Sequence, residues 1–336
     1  MAQPFDLVVI GSGPGGYVAA IRAAQLGLKV AVVEKEHVGG VCLNWGCIPS
    51  KALLRNAELV STLKHADEYG IGFDNLRLDF SKAIDRSRSV AARLSRGVTY
   101  LLKKNKVETI MGTASLRDAH TIEVAPEGRV LTGKNVLIAT GARPRSIPGV
   151  QIDGETVIAS RQALELRQLP KSAVIVGGGA IGMEFAYVWH AYGVDVTVVE
   201  LLPHLLPNED EEISQQLERS MQKQGVKFHT GSTVTGLEKT PDGVALKVKT
   251  SEGEVALSCT KVLMAVGVGG NSDGIGLERA GVAVERGFIV VDDSMSTNVP
   301  GVYAIGDVTG KVLLAHVASA QGVLAVERMA GRDSPP

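Results

Sequence analysis

A three-layer α/β fold laid down twice, with the second copy inserted into the first, is what this amino-acid order predicts. Two observations carry the expectation. An apolar run at Phe5–Ile10 precedes Gly11-Ser-Gly-Pro-Gly-Gly16, a helical pattern over 17–26 and a second apolar run over 29–33, which reads as strand, turn, helix, strand. The same order returns at 173–176, Gly177-Gly-Gly-Ala-Ile-Gly182, 183–192 and 195–199, with Gly177 lying 166 positions after Gly11. Self-similarity at that distance means two units of one kind, and a chain of 336 residues is long enough for both.

Between the copies, 54–64 and 80–104 read as amphipathic helices, the second carrying Ile84, Val90, Leu94, Val98 and Leu101 near helical spacing. Alternating segments at 107–111, 121–124 and 135–139 read as strands returning to the first sheet. Pro148-Gly149 marks a crossover. A short helix over 161–168, a helix over 211–224 and strands at 226–229, 244–249 and 261–266 fill the second copy, and after Gly270 the chain returns to the first. The domain expectation is therefore 1–149 and 271–336 for the first unit and 150–270 for the second.

Each glycine run fits G-x-G-x-x-G: the first glycine allows a tight bend, the second lets a diphosphate approach the backbone, and the third lets helix pack on strand. Gly11, Gly13 and Gly16 fill these places in the first copy, and Gly177, Gly179 and Gly182 in the second. The helix that follows aims free N–H groups and its positive dipole end at the phosphates. Glu34 and Glu200 each stand 23 positions after the first glycine of their turn, where an acid accepts from ribose hydroxyls. One such motif is weak evidence; two complete copies, each with its acid, define two Rossmann-like dinucleotide-binding domains. At the second, Glu200 repels a 2′-phosphate and Leu201 and Leu202 supply no arginine to receive one, so NAD is favoured over NADP.

A formal net charge of −1 gives no basic surplus for a phosphate backbone, which argues against a nucleic-acid partner. No stretch approaches the roughly 18 to 20 consecutive apolar residues of a membrane helix, and residues 1–6 lack a basic segment leading into an apolar one. A cytoplasmic chain without a leader is expected.

Two of the three cysteines stand close together in Cys42-Leu-Asn-Trp-Gly-Cys47. Metal binding is one reading of that spacing, but zinc asks for about four donors and no second cysteine or cysteine–histidine pair exists, so no metal site is nominated. Two buried thiols are another. A redox pair is the third, favoured by Ser50 and Lys51: the ammonium and a helix N-terminus both favour thiolate. Cys259 has no partner and reads as structural.

The run Gly39-Gly-Val-Cys-Leu-Asn-Trp-Gly-Cys-Ile-Pro-Ser-Lys-Ala-Leu-Leu54 resembles the active-site segment of the class I pyridine nucleotide disulfide reductases, in the form found in dihydrolipoamide dehydrogenases. The similarity extends through Ala139-Thr-Gly141, the second glycine motif and Thr297-Asn-Val-Pro-Gly-Val-Tyr-Ala-Ile-Gly-Asp307. The resemblance implies FAD at the first turn and NAD at the second, with Gly40, Thr140 and Gly141 in the FAD site. It implies that Asp307 holds the flavin ribityl chain, Ala114 and Ala315 offer backbone contacts, and Lys51 stands near flavin N5 paired with Glu184. On the NAD side it gives Glu200 the adenosine ribose, Val234 the adenine and Gly267 a place beside the cofactor. Cys42 becomes the interchange thiol and Cys47 the thiol nearer the flavin, with a lipoyl-bearing protein or a small dithiol as substrate.

Members of the resembling family carry a further C-terminal interface domain ending in a His-Pro motif, whose histidine is the partner subunit's acid and base. None of the seven histidines here lies in such a motif. The expectation is an impaired dithiol half-reaction with NADH-to-dye turnover better preserved, and a monomer or weak homodimer. His316 reads as structural. The run Val266-Gly-Val-Gly-Gly-Asn271 lacks the arginine and proline usual after that glycine, and Val317 replaces a usual lysine, which predicts a looser NAD loop. A reductase of another disulfide or a quinone is the enzymatic alternative, and a flavin-binding interaction module the non-enzymatic one.

Overall fold

The computed structural model describes residues 4–332. The chain divides into two units. One comprises the chain up to Asn44, Ala91–Arg143 and the chain from Gly269; the other comprises Trp45–Val90 and Pro144–Val268. Segment 45–90 groups with the second because Leu53, Ala57, Phe80, Ala83 and Ile84 share a core with Phe185 and Trp189.

In the first unit, Phe5–Ile10 runs parallel to Val30–Glu34 on one side and to the latter half of Arg129–Ile138 on the other. Glu108–Met111 extends the sheet beyond Val30–Glu34, and Val302–Ala304 pairs with 136–138. The early half of Arg129–Ile138 turns to antiparallel pairing with Thr121–Ala125, which pairs with Thr113–Leu116. Leu7, Val8, Val9, Val32, Val136, Leu137 and Ile138 are wholly buried. That is why these strands read as unbroken apolar runs rather than alternating ones: a parallel sheet is covered on both faces. Helices Pro14–Gln25 and Ala315–Met329 pack on each other and are tied by the Arg22–Glu327 ion pair.

The second unit repeats the plan with Ser172–Val176 flanked by Asp195–Val199 and Lys261–Met264, then Lys227–His229 and Val157–Ile158 at the edges, all parallel. It adds an antiparallel sheet of Thr233–Thr240, Gly243–Thr250 and Gly253–Cys259. The first and third of these strands escape the sequence reading because each buries a single residue, Val234 and Cys259, while most of the others, Glu238, Lys239 and Glu254 among them, are exposed. The signal was there, in the turns Pro241-Asp242-Gly243 and Ser251-Glu252-Gly253.

Three helices depart from expectation. The predicted helix over 161–168 is one turn, Ser160–Ala163. The helix expected from 54 begins at Cys47 and runs to Lys64, with Pro49 in its first turn, where a missing N–H removes no intrahelical bond. A further short helix, Gly40–Trp45, precedes it. Among the described residues no helix is long and apolar enough to cross a membrane, and no group of three or more His, Cys, Asp or Glu is placed to hold a metal ion.

Candidate functional site: two glycine turns and a cystine loop

The two glycine turns are superimposable in their chemistry. Gly11 has φ +100° and Gly177 φ +110°; each donates its N–H across the sheet over 2.8 Å, to Val33 O and Val199 O respectively. A Cβ on Gly11 would lie 2.3 Å from Ala139 O, and one on Gly177 2.3 Å from Ala265 O. On Gly16 and Gly182 it would lie 2.0 Å from the carbonyl oxygen of that first glycine. The middle glycines differ in kind: nothing lies within 4 Å of a Cβ on Gly179, and on Gly13 only Gly40 Cα approaches, at 4.0 Å. So the outer glycines are demanded by the fold, and the middle one leaves open space at the helix start. Gly13 and Gly179 are the N-caps of Pro14–Gln25 and Ala180–Ala191, neither with a side-chain cap. The first-turn N–H groups are thereby left for an anion.

The acids at the second strand have a task beyond the one read from sequence. Glu34 is buried and accepts through Oε2 from Ser12 N (2.9 Å) and Ser12 Oγ (2.7 Å), and through Oε1 from Glu36 N (2.9 Å). Glu200, equally buried, accepts from Gly178 N (2.5 Å) through Oε2 and from Leu202 N (2.8 Å) through Oε1. Each carboxylate thus straps the glycine turn to the end of the neighbouring strand and fixes the shape of that turn. Ser12 was missed as a site residue; its place inside the glycine run was the available signal.

Gly39 and Gly40, at φ +101° and +61°, carry the chain back over the first turn. A Cβ on Gly40 would meet Gly13 Cα at 2.5 Å, and Gly39 N donates to Ser12 O at 3.0 Å. The helix Gly40–Trp45 starts there, its Asn44 Nδ2 donating to Val38 O and Gly40 O at 3.1 and 3.0 Å. Cys42 and Cys47 are joined as a disulfide, and Cys259 is a buried free thiol pushed up in pKa by burial. Of the readings open from spacing alone, the covalent pair stands.

One turn past Cys47, Lys51 Nζ meets Glu184 Oε1 at 2.6 Å. Their side chains are 63% and 28% exposed, so the pair contributes at most about 1 kcal/mol to stability. Glu184→Gln is expected to leave the thermal midpoint within a few degrees of the parent; a drop well beyond that in a thermal scan would mark the pair as a structural strut.

The remaining candidates are spread over both units. Ala114 is buried on Thr113–Leu116. Thr140 Oγ1 donates to Asn271 O at 2.8 Å, Asn271 Nδ2 returns a bond to Thr140 O at 2.9 Å, and Gly141 takes φ +69°. Arg143, not singled out from sequence, donates to Gly270 O at 2.8 Å and Asn271 Oδ1 at 3.2 Å and pairs with Asp273. The returning stretch 270–273 is therefore tied down despite lacking the expected arginine and proline. Ala315 opens Ala315–Met329. Val234 is the buried residue of the strand Thr233–Thr240, while Gly267 has φ +95° with nothing within 4 Å of a Cβ.

Asp307 lies in the turn Gly306–Thr309, whose Gly306 N donates to Gln321 Oε1 at 2.8 Å. Burial pushes the Asp307 carboxyl above the ordinary aspartate value of 3.8. The folded chain therefore holds this proton to higher pH than the unfolded chain does. The stabilising effect of the neutral acid is complete below the unfolded value and is lost as pH rises through the folded one. Cofactor-free Asp307→Asn is expected to melt above the parent at pH 7 and to match it near pH 3, read by thermal scans; parallel curves at both pH values would refute this.

Two cradles of this build, one of them leading straight into a cystine loop, fit dinucleotides at both turns and define an oxidoreductase that works on disulfides. The chain belongs to the pyridine nucleotide-disulphide oxidoreductase family, whose model matches residues 5–322; the family uses FAD and NAD. A dihydrolipoyl dehydrogenase of Chlorobaculum tepidum is 48% identical over 340 residues, covering 100% of this chain and 72% of that protein. One from Mycobacterium tuberculosis is 49% identical over 335 residues, covering 98% and 72%. Among solved structures, LpdA of M. tuberculosis superposes with a TM-score of 0.91 at 33% identity, covering 98% of this chain and 73% of its own. The HOCl-induced flavoprotein disulfide reductase RclA of Escherichia coli, solved as a Cu(II) complex, gives 0.85 at 29% identity, with 97% and 71% covered.

Proposed function

We propose that this protein oxidises dihydrolipoamide, free or borne on a lipoyl protein, with NAD as acceptor, in the cytoplasm. The observation that carries the proposal is the Cys42–Cys47 disulfide at the end of an FAD-type glycine turn, in a chain 44 to 49% identical to dihydrolipoyl dehydrogenases. FAD takes the glycine turn of residues 1–149 together with 271–336, held by Gly11, Gly13, Gly16, Glu34, Gly40, Ala114, Thr140, Gly141, Asp307 and Ala315. NAD takes the turn of residues 150–270, held by Gly177, Gly179, Gly182, Glu200, Val234 and Gly267.

In the dithiol step, a substrate thiolate attacks Cys42 Sγ, the Cys42–Cys47 bond breaks, and Cys47 leaves as thiolate. The second substrate thiol then displaces Cys42, so the substrate departs as its cyclic disulfide and the protein keeps two electrons as a dithiol. Cys47 suits the leaving role because it is the first residue of Cys47–Lys64, where the helix dipole favours thiolate, and Lys51 lies one turn on. Glu184 Oε1 accepts from the Lys51 ammonium. FAD, when bound, supplies the carrier that relays this electron pair from the dithiol to NAD. Burying Glu200 against Gly178 and Leu202 leaves a carboxylate, not a cation, at the ribose edge, which supports NAD over NADP.

The test is a visible spectrum during anaerobic titration, with dithionite and then NADH, followed by an assay of NAD reduction by dihydrolipoamide. A yellow protein that develops long-wavelength absorbance and reduces NAD with dihydrolipoamide, more slowly than it reduces a dye with NADH, is expected. A colourless protein, or a yellow one that reduces dyes with NADH but leaves dihydrolipoamide untouched, would overturn the proposal.

A further inference from the structure

We infer that Trp45 is a positioning residue for the redox pair: its indole, held by Glu165 and Arg161, keeps the span between Cys42 and Cys47 in the register that closes the disulfide. The inference rests on the reading that this pair cycles between disulfide and dithiol.

The span has one weak point. The helix Gly40–Trp45 ends one residue before Gly46, which takes φ −140° and ψ −122°, and Cys47 opens the next helix. Gly46 is thus the only non-helical residue between the sulfurs, and glycine is the residue least able to hold a conformation unaided. The residue before it is held from three sides. Trp45 is 8% exposed and shares a core with Leu53, Ala57 and Phe185. Its Nε1–H donates to Glu165 Oε1 at 2.8 Å. The Arg161 guanidinium carbon stands 3.8 Å from its ring centroid, within cation–π range. Arg161 belongs to the one-turn helix Ser160–Ala163 and Glu165 lies two residues beyond its end, so one stretch of five residues supplies both holds. None of these groups exchanges electrons or protons in the thiol step, so the hold persists when the disulfide opens.

That persistence has a thermodynamic consequence. Reduction by two thiols breaks the Cys42–Cys47 bond, leaves two thiols on the protein and joins the two reductant sulfurs as a disulfide. If the hinge were then free, the cysteines would drift and lose effective concentration for one another; with Trp45 fixed they stay poised to reclose. By reciprocity, a hold that favours the closed pair makes that pair harder to reduce.

The experiment equilibrates the protein in glutathione redox buffers, quenches with acid and counts free thiols by mass after alkylation, with no NAD present. The variants are Trp45→Phe, the double variant Arg161→Ala with Glu165→Ala, and Glu165→Gln, whose amide oxygen still accepts from the indole. In Trp45→Phe and the double variant, the equilibrium constant for closing the disulfide is expected to fall on the order of tenfold. That fall corresponds to a midpoint potential about 30 mV less negative. Glu165→Gln is expected to stay within about twofold of the parent. A closing equilibrium unchanged, or shifted towards the disulfide, in either of the first two variants would overturn the inference. Should the double variant not fold, Trp45→Phe, which keeps the aromatic packing, decides alone. Failure of dihydrolipoamide turnover with the equilibrium shifted as stated would remove the proposed substrate and leave the role of Trp45 standing.

Discussion

Cys42→Ser and Cys47→Ser are each expected to lose NAD reduction by dihydrolipoamide about a thousandfold or more, at least ~4 kcal/mol of barrier, while NADH oxidation by a dye persists. The size of the effect follows from stoichiometry. A single thiol cannot form the internal disulfide, so it can neither accept the substrate's second sulfur displacement nor store two electrons, and no neighbouring residue substitutes: Cys259, the remaining cysteine, is buried among Val244, Val248 and Val262. Dye reduction does not pass through the cysteines and needs only the two cradles. The two variants should also differ from each other. Cys42→Ser keeps Cys47 as a permanent thiol at the helix start, so long-wavelength absorbance should be present without reductant; Cys47→Ser should lack it under all conditions. Steady-state assays beside visible spectra check both points, and retention of dithiol turnover by either variant would remove the pair from the chemistry.

Gly16→Ala and Gly182→Ala separate the two nucleotide sites. In both, the added methyl would stand 2.0 Å from a carbonyl oxygen of the glycine that opens the turn, and that oxygen is backbone, with no rotamer to give way. The helix must back off from its strand, a cost at the upper end of overpacking, about 3 kcal/mol, which is roughly a hundredfold in affinity if it falls on the bound state. Gly16→Ala is expected to yield protein with little or no flavin. Gly182→Ala is expected to stay yellow and to be reduced by dithionite, with its apparent affinity for NADH down by about that factor. Loss of flavin in Gly182→Ala, or normal NADH affinity, would contradict the assignment of FAD to the first turn and NAD to the second.

Most of the frame was legible in the residues. Both strand–turn–helix–strand copies, the helices Phe80–Lys104 and Glu211–Gln224, and the acids Glu34 and Glu200 stand where periodicity and spacing put them. What was misread has local reasons. Pro49 disguised the first turn of Cys47–Lys64 as the close of a loop, although proline is at home there. The strands Thr233–Thr240 and Gly253–Cys259 were lost because each buries one residue only, Val234 and Cys259, so neither presents the regular apolar face by which a strand is read. Segment 45–90 was assigned by chain order, yet a helix joins whichever core its buried face reaches, and for Leu53, Ala57 and Ile84 that is the core holding Trp189.

By itself the sequence determined the class of fold, the two nucleotide turns and the identity of the reactive cysteines, because each depends on residue type at short spacing: a glycine where φ is positive, an acid at a strand end, two thiols five positions apart. Only the tertiary structure decided which partners those residues take. That Glu34 binds Ser12 and Glu200 binds Gly178, that Arg143 ties down Asn271, and that Trp45 is clasped by Glu165 and Arg161 are contacts across 22 to 128 positions of chain. Their geometry is set by how sheets and helices stack, and local pattern carries no record of it.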